Sequence, residues 1–416
     1  MVVIREFVPD DLDAVWSIRR LPFGGQREPD SRWLLGGWRG WVASLDGRPC
    51  GFAQAWPYRQ FFGGAAVPTA GLASVSVDPY ARGRGVATAL LDAALPAMRE
   101  RGQVLSSLYP SVTALYRGRG WERVGVNERL DLPTAALRSV STASSVGAVS
   151  SVGAVSSVGT ASSVGTASSL GAASVEPPVE LRPAGPRDLA ALHECYLALA
   201  STVDGMLDRD TEPFDVSRVL ELDIVTVAPG PSGLRGYVSG GRTDSGLVVH
   251  DLVALDAGAC RALLRSVGSW AGHLDTVTLR VLDSRLLSPV GQGVELHSET
   301  WMLRVVDFQG AVAARGWPRA ELLRSGLSVD VELVDPHAPW HAGRHRIVVD
   351  GGRVITEPGG QGTVRLTAAG LAAWYAGAAD SAALRRAGQL TGDAAASMVL
   401  DALTGAPGTP RLADSF

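Results

Sequence analysis

The sequence predicts an α+β protein built in successive parts, and three observations carry that reading. Two distant stretches repeat the same passage from a valine-rich strand to an alanine/leucine-rich helix. A low-complexity run stands between them. From about Phe308 onward the pattern changes to the alternation of antiparallel strands. At 416 residues the chain is too long for one ordinary core, so two or three domains are expected.

The first unit opens with "IREFVPDDLDAVWSI" (4–18), and the second with "LRPAGPRDLAALHEC" (181–195). Each has an apolar-Arg pair, a proline five residues after the apolar position, and then Asp-Leu. That order predicts a strand, a proline and aspartate near an N-cap, and an amphipathic helix. Further on, "GLASVSVDPYARGRGVATALLDAAL" (71–95) parallels "VVHDLVALDAGACRALLRSVGSWA" (248–271), strand into helix in both. Only the first of these carries the Arg-Gly-Arg-Gly element.

Between the units, "SSVGAV" at 144 begins five successive hexapeptides of Ser, Val, Gly, Ala, Thr and Leu. They are too few and too small to bury a core, so a spacer is expected rather than a β-helix. In the last part, "LSVDVELVD" (327–335), "HRIVVDGGRVITEP" (345–358) and "GTVRLT" (362–367) predict strands, the second broken by a Gly-Gly turn. "AAGLAAWYAG" and "SAALRRAG" predict helices ended by Gly377 and Gly388. The expected domains are 1–138, a linker 139–177, then 178–306 and 307–416.

Composition excludes several classes. The net charge of −4 gives no electrostatic reason to bind nucleic acid, so no such partner is expected. No apolar run approaches the roughly 18 residues that cross a bilayer, and "MVVIREFVPDD" turns acidic too early for a signal peptide. The expected location is the cytoplasm. Cys50, Cys195 and Cys260 are scattered and lack a CxxC pair, which predicts buried thiols. All 38 basic residues are arginine; codon bias of a GC-rich genome accounts for this most simply. His337, His341 and His345 would align on a helix, but Pro339 and Gly343 break one there, so no metal site is expected.

The chemistry concentrates in "SVSVDPYARGRGVATALL" (74–91). A strand reaching Pro79 and a helix starting after the glycines would present unpaired backbone N–H groups at a positive helix end. Gly83 and Gly85 permit close approach, and Arg82 and Arg84 add cationic donors. The stretch is neither G-x-G-x-x-G nor a P-loop. It predicts an anion site, a pyrophosphate in particular; the plainer alternative is an exposed basic loop.

"VSVDPYARGRGVATALL" resembles the acetyl-coenzyme A motif of GNAT-superfamily N-acetyltransferases. The three-part layout is similar to the Eis family (enhanced intracellular survival acetyltransferases), in which an active GNAT domain is followed by a degenerate one and by a sterol carrier protein-like domain. The resemblance covers nearly the whole chain except the repeats. It implies tandem GNAT folds, with mixed, mostly antiparallel sheets and flanking helices, followed by a sterol carrier protein-like α+β domain. It implies acetyl-CoA as co-substrate and direct transfer to a primary amine of a small polycationic acceptor, aminoglycosides by family, in a homohexamer. The backbone of Val75, Ser76 and Val77 would hold the pantetheine arm. Arg82, Gly83, Arg84, Gly85, Val86, Ala87 and Thr88 would cradle the pyrophosphate, with Ser111 and Val112 nearby. Tyr116, in "SVTALYRGRGWERVG", would be the general acid. Phe416 would supply the general base through its C-terminal carboxylate, although last residues commonly fray.

"GGQREPDSRWLLGGW" (24–38) falls where such proteins form the acceptor pocket. Glu28 and Asp30 would attract a polycation and Trp33 and Trp38 would wall it, a solvated loop over core tryptophans being the alternative. Two other readings stay open. One is a hydrophobic-ligand or lipid carrier with vestigial GNAT parts; the other is a protein-lysine acetyltransferase.

Overall fold

A computed structural model of the chain describes residues 1–25, 37–140, 179–211, 214, 216–244, 246–290, 294–404 and 409–415. The hexapeptides, Glu28, Asp30, Trp33 and Phe416 lie outside the described residues.

The first unit comprises β1 (Val2–Glu6), α1 (Leu12–Phe23), β2 (Arg39–Leu45), β3 (Arg48–Phe62), β4 (Ala65–Val77), α2 (Val86–Glu100), β5 (Leu105–Leu108), α3 (Thr113–Arg117) and β6 (Glu122–Pro133). The second comprises β7 (Arg182–Pro183), α4 (Leu189–Ala200), β8 (Ile224–Gly230), β9 (Gly233–Arg242), β10 (Gly246–Ala254), α5 (Ala257–Gly268), β11 (Thr276–Arg280) and β12 (Glu295–Val305). All these strands form a single 12-stranded sheet.

The echo between the openings is atomic. Arg5 forks the Asp11 carboxylate at 2.5 and 2.6 Å, and Asp11 also accepts from the Val8 N–H. Arg182, Asp188 and the Gly185 N–H repeat the arrangement. Both aspartates sit at the N-cap position of their α-helices, yet their carboxylates turn back to the short 3-10 turn before it. The carboxylate therefore fixes the strand-to-helix corner instead of capping the helix.

At the centre of the sheet the units exchange strands. β12 of the second unit pairs with β5 of the first, β6 of the first pairs with β11 of the second, and β6 and β12 pair antiparallel with each other. The middle of the sheet thus belongs to both units, across the stretches expected as separate domains.

The third unit comprises α6 (Phe308–Ala314), β13 (Ser328–Val334), β14 (Gly343–Asp350), β15 (Arg353–Pro358), β16 (Val364–Thr367), α7 (Ala368–Tyr375), α8 (Ser381–Arg386), β17 (Leu390–Gly392) and α9 (Ala394–Thr404). Its five strands run in the order β15-β14-β13-β16-β17. Gly351 and Gly352 make the expected turn at φ 53° and 78°, and Gly377 and Gly388 end their helices at φ 69°. Its core is continuous with the first unit: Trp374, Phe308 and Leu366 share one buried cluster with Phe62, Val67 and Leu105. The three cysteines are buried and unpaired. His345 lies in β14, while His341 contacts the Asp335 carboxylate at 2.9 Å beside the fully buried Arg304. Among the described residues no group of His, Cys, Asp and Glu has the arrangement of a metal site.

Candidate active site

β4 and β5 run parallel only from Thr69–Gly71 against Leu105–Ser107. From Leu72 to Val77 β4 keeps β3 on one side and has no strand on the other, so a wedge opens between β4 and β5. β4 also bulges here: Ser74 and Val75 oppose one residue of β3, and Ser74 takes φ 54°. Arg19 of α1 donates to the Ser74 hydroxyl at 3.1 Å. The bulge turns the end of β4, with the half-buried Val75 and Val77 and the buried Ser76, along the wedge.

The strand stops at Val77, two residues before the expected end. Asp78 accepts from the Tyr80 N–H, Pro79 opens a 3-10 turn to Ala81, and α2 begins at Val86. Gly83 and Gly85 have φ 74° and 78°. A Cβ on either would meet nothing within 4 Å, so the left-handed backbone, and not crowding, requires glycine there. Gly85 is the N-cap and offers no side chain, which leaves the first N–H groups of α2 to a ligand. α2 is held down by Leu90, Leu91, Ala94, Leu95 and Met98, all fully buried; each of the larger ones contributes about 1.5–3 kcal/mol.

A cavity of about 290 Å³ sits on this turn, lined by Val77, Ala81 and Arg82, by Gly83 and Gly85, and by the start of α2 from Val86 to Thr88. Leu115 of α3 completes it, a residue the sequence reading missed although it precedes Tyr116. Arg84, Val75, Ser76, Ser111 and Val112 do not line this cavity, and Ser111 and Val112 are exposed just before α3. Arg82 is exposed and donates to the Val77 carbonyl at 3.3 Å.

Tyr116 is buried on α3, edge-on to Trp121. Among the described residues its hydroxyl has no hydrogen-bond partner, and burial pushes the phenol up to about 12. Burial likewise pushes Cys195 up to about 12 and Cys260 to about 11, and raises Cys50, so none is an available thiolate. Trp38 is half-buried, packed on Phe7, Phe52 and Trp56; the aromatic contacts continue through Tyr58 to Phe214.

The second unit shows why only one helix end is open. α5 is capped by its own Asp256, whose carboxylate accepts from the Ala259 N–H at 2.9 Å and is forked by Arg235 at 2.7 Å. A carboxylate of the chain occupies the place an incoming phosphate would take.

Residues 410–414 are held against the sheet. Leu412 and Ala413 are buried, Val126 donates to the Pro410 carbonyl, and Leu412 donates back to Val126. Tyr109, which follows β5, donates to the carbonyls of Leu412 at 2.5 Å and Asp414 at 3.0 Å. Asp414 is paired with Arg209 at 2.9 Å and Arg280 at 3.3 Å. The segment therefore runs beside the exit of β5 as far as Ser415, the last described residue.

The bulged strand of the first unit thus leads into a helix that opens at an uncapped glycine turn, and the corresponding helix of the second unit lacks that turn. Residues 3–124 match the GNAT acetyltransferase domain and residues 308–413 the sterol carrier protein domain. The chain is an acetyltransferase of the GNAT type that carries a sterol carrier protein domain after its second repeat. It is 28% identical over 368 residues to an uncharacterized N-acetyltransferase of Streptomyces avermitilis, covering 84% of this chain and 82% of that protein. Its structure is similar to a GCN5-related N-acetyltransferase from Kribbella flavida, with TM-score 0.80, 28% identity, and 100% and 98% of the two chains covered. An Eis protein from Mycobacterium abscessus shares the fold at TM-score 0.69 and 22% identity, with 100% of both chains covered.

Proposed function

We propose that the chain is an Eis-type N-acetyltransferase that uses acetyl-CoA to acetylate primary amines of polycationic small molecules, aminoglycosides among them. The observation that carries the reading is the contrast between the two repeats: α2 begins at an uncapped, left-handed Gly85, whereas Asp256 closes α5. The site fits the co-substrate, since its free N–H groups and arginines are the donors a pyrophosphate needs.

Acetyl-CoA, when bound, supplies the activated acetyl group. The Gly83–Thr88 turn and Arg82 hold its pyrophosphate, with Arg84 beside them, and the open edge of Val75–Val77 takes the amide arm, near Ser111 and Val112. Tyr116 stays protonated and donates toward the departing sulfur. A phenol at about 12 is a weaker acid than a thiol near 8.5, so donation of a hydrogen bond is the larger part of its work. The carboxylate of Phe416 takes the proton of the acceptor ammonium. The anchoring of residues 409–415 supports that role by bringing the chain alongside β5. Glu28, Asp30, Trp33 and Trp38 contribute to the acceptor side, and the protein works in the cytoplasm as a homohexamer.

Coenzyme A release assayed with aminoglycosides, polyamines and lysine peptides tests this. Turnover of the aminoglycosides is expected; turnover of the peptides alone would make it a protein-lysine acetyltransferase, and release with no amine would overturn the reading. One observation favours a second activity as a hydrophobic-ligand carrier. A cavity of about 930 Å³ opens in the third unit beside Val312, Trp317 and Val354. Thermal shift by fatty ligands without any shift by acetyl-CoA would favour the carrier.

A further inference from the structure

The second repeat, blocked at its helix, keeps a cavity of its own. β10 bulges at His250, with Val249 opposite Gly240 and Asp251 opposite Ser239, as β4 bulges at Ser74. Over this bulge α4 and the 3-10 turn Val216–Glu221 enclose about 260 Å³. The walls are apolar: Leu192, Tyr196, Phe214, Val219 and Leu222. Arg209, Arg280, His250, Ser239, Asp251 and Asp414 form the polar side.

The partners of these groups indicate what is missing. Arg209 is largely committed, forking Asp251 at 2.6 and 2.9 Å and reaching Asp414 at 2.9 and 3.2 Å. Burial alone would raise the Asp251 carboxyl, but Arg209 outweighs it and brings the carboxyl down to about 2. The Asp251 carboxylate is thus ionised, and Asp251 and Asp414 are both already shared. Arg280 is different: among the described residues its single side-chain hydrogen bond is the 3.3 Å contact to Asp414, leaving most of its donors unused. Ser239 is 1% exposed and, among the described residues, its hydroxyl has no partner, a group that calls for a ligand. Burial, then Arg280, lowers the pKa of His250, so its imidazole is neutral near pH 7.

Three arginines line the cavity, Arg218 leaning to Glu221 at 3.7 Å, against the two carboxylates Asp251 and Asp414, so a cation would find no unshared negative group. An anion would find the spare fork of Arg280 and the Ser239 hydroxyl, and the walls demand an apolar body. We propose that this cavity binds a small organic anion, a monocarboxylate with an aryl or short alkyl body, its carboxylate on Arg280 and Ser239 and its body between Tyr196, Phe214 and Val219. The volume lies just below that of drug-sized pockets, which limits the body to about one ring. Arg280 also touches Asp414, so the ligand's carboxylate would stand beside that of Asp414 on one guanidinium, and repulsion between the two makes each weaken the other's hold.

Calorimetry on the full-length protein with hydrocinnamate and its neutral amide tests the site without reading acetyl transfer, so the outcome stands apart from the function of the first repeat. Saturable binding of the acid is expected, at least tenfold weaker for the amide and at least tenfold weaker for Arg280→Gln. Val219→Trp fills the cavity, leaves every charge in place, and should abolish binding, which keeps the test open if the arginine variant does not fold. Amide exchange at residues 411–414 should quicken several-fold when hydrocinnamate is bound. No saturable binding, equal binding of acid and amide, or undiminished binding by the variants would overturn the site. Unchanged exchange in the bound protein would overturn that mutual weakening.

Discussion

Gly205 and Arg411 meet backbone to backbone: a Cβ on Gly205 would stand 2.6 Å from the Arg411 carbonyl oxygen. Gly205 also takes φ 97°, a conformation that other residues adopt only under strain. Gly205→Ala should push the final segment off the sheet and cost about 1–3 kcal/mol of stability. Acetyl transfer should fall at least tenfold while calorimetric affinity for acetyl-CoA holds. A variant with full turnover would mean the segment's seat is not needed for the reaction.

Deleting Phe416, or extending the chain past it with a tag, should abolish transfer while acetyl-CoA still binds. The base would be lost or displaced, and the phosphate turn would be untouched. Normal turnover by the deletion variant would remove Phe416 from the mechanism.

Gly85→Val forces a β-branched residue to φ 78° and should raise the KM for acetyl-CoA strongly with the fold kept. Arg82→Ala removes a charge-assisted donor from an exposed position, so the low end of the usual range applies: about 1.5 kcal/mol, or roughly tenfold in Kd. Calorimetry reads both. Unaltered affinity in the two variants would refute a pyrophosphate on this turn.

Tyr116→Phe should lower kcat roughly 100-fold with little change in KM, the low end of the range for a positioned proton donor, since hydrogen-bond donation is the larger part of its work. Its raised pKa also fixes a sign. The folded state holds this proton more tightly than the unfolded chain, so its stabilising contribution is complete below pH 10 and is lost as pH rises toward about 12. The wild-type rate should show no decline attributable to this tyrosine below pH 10. Denaturant titrations and rate profiles across pH 7–11 check both points, and an unchanged kcat in the phenylalanine variant would exclude the role.

The sequence made the local structure readable because each signal lay within a few residues. The Arg5–Asp11 and Arg182–Asp188 corners, the Gly351-Gly352 turn and the glycine-rich start of α2 are all of this kind. Its silence about β6 and β12 has an equally plain cause. Their pairing, Trp301 opposite Gly125 for example, joins residues far apart in the chain and leaves no periodicity behind. Tyr109 and Leu115 went unnoticed for the same reason, since what distinguishes them is what they touch. Asp256 lies within the quoted stretch 248–271, but its capping role was not read from it. Its consequence, that a carboxylate fills the phosphate position, needed the helix to be seen.

The traded strands have an implication for how such a chain can change over generations. A silent copy of a gene segment ordinarily drifts until it is lost. Here the second copy furnishes β12, without which β5 would present a bare edge, and it receives β6 in return. Neither copy can be excised without opening the other's sheet, so the repeat without the glycine turn is still required for the shape of the whole. With its helix end closed by Asp256 and still obliged to fold, it is the part of the molecule best placed to acquire a different ligand.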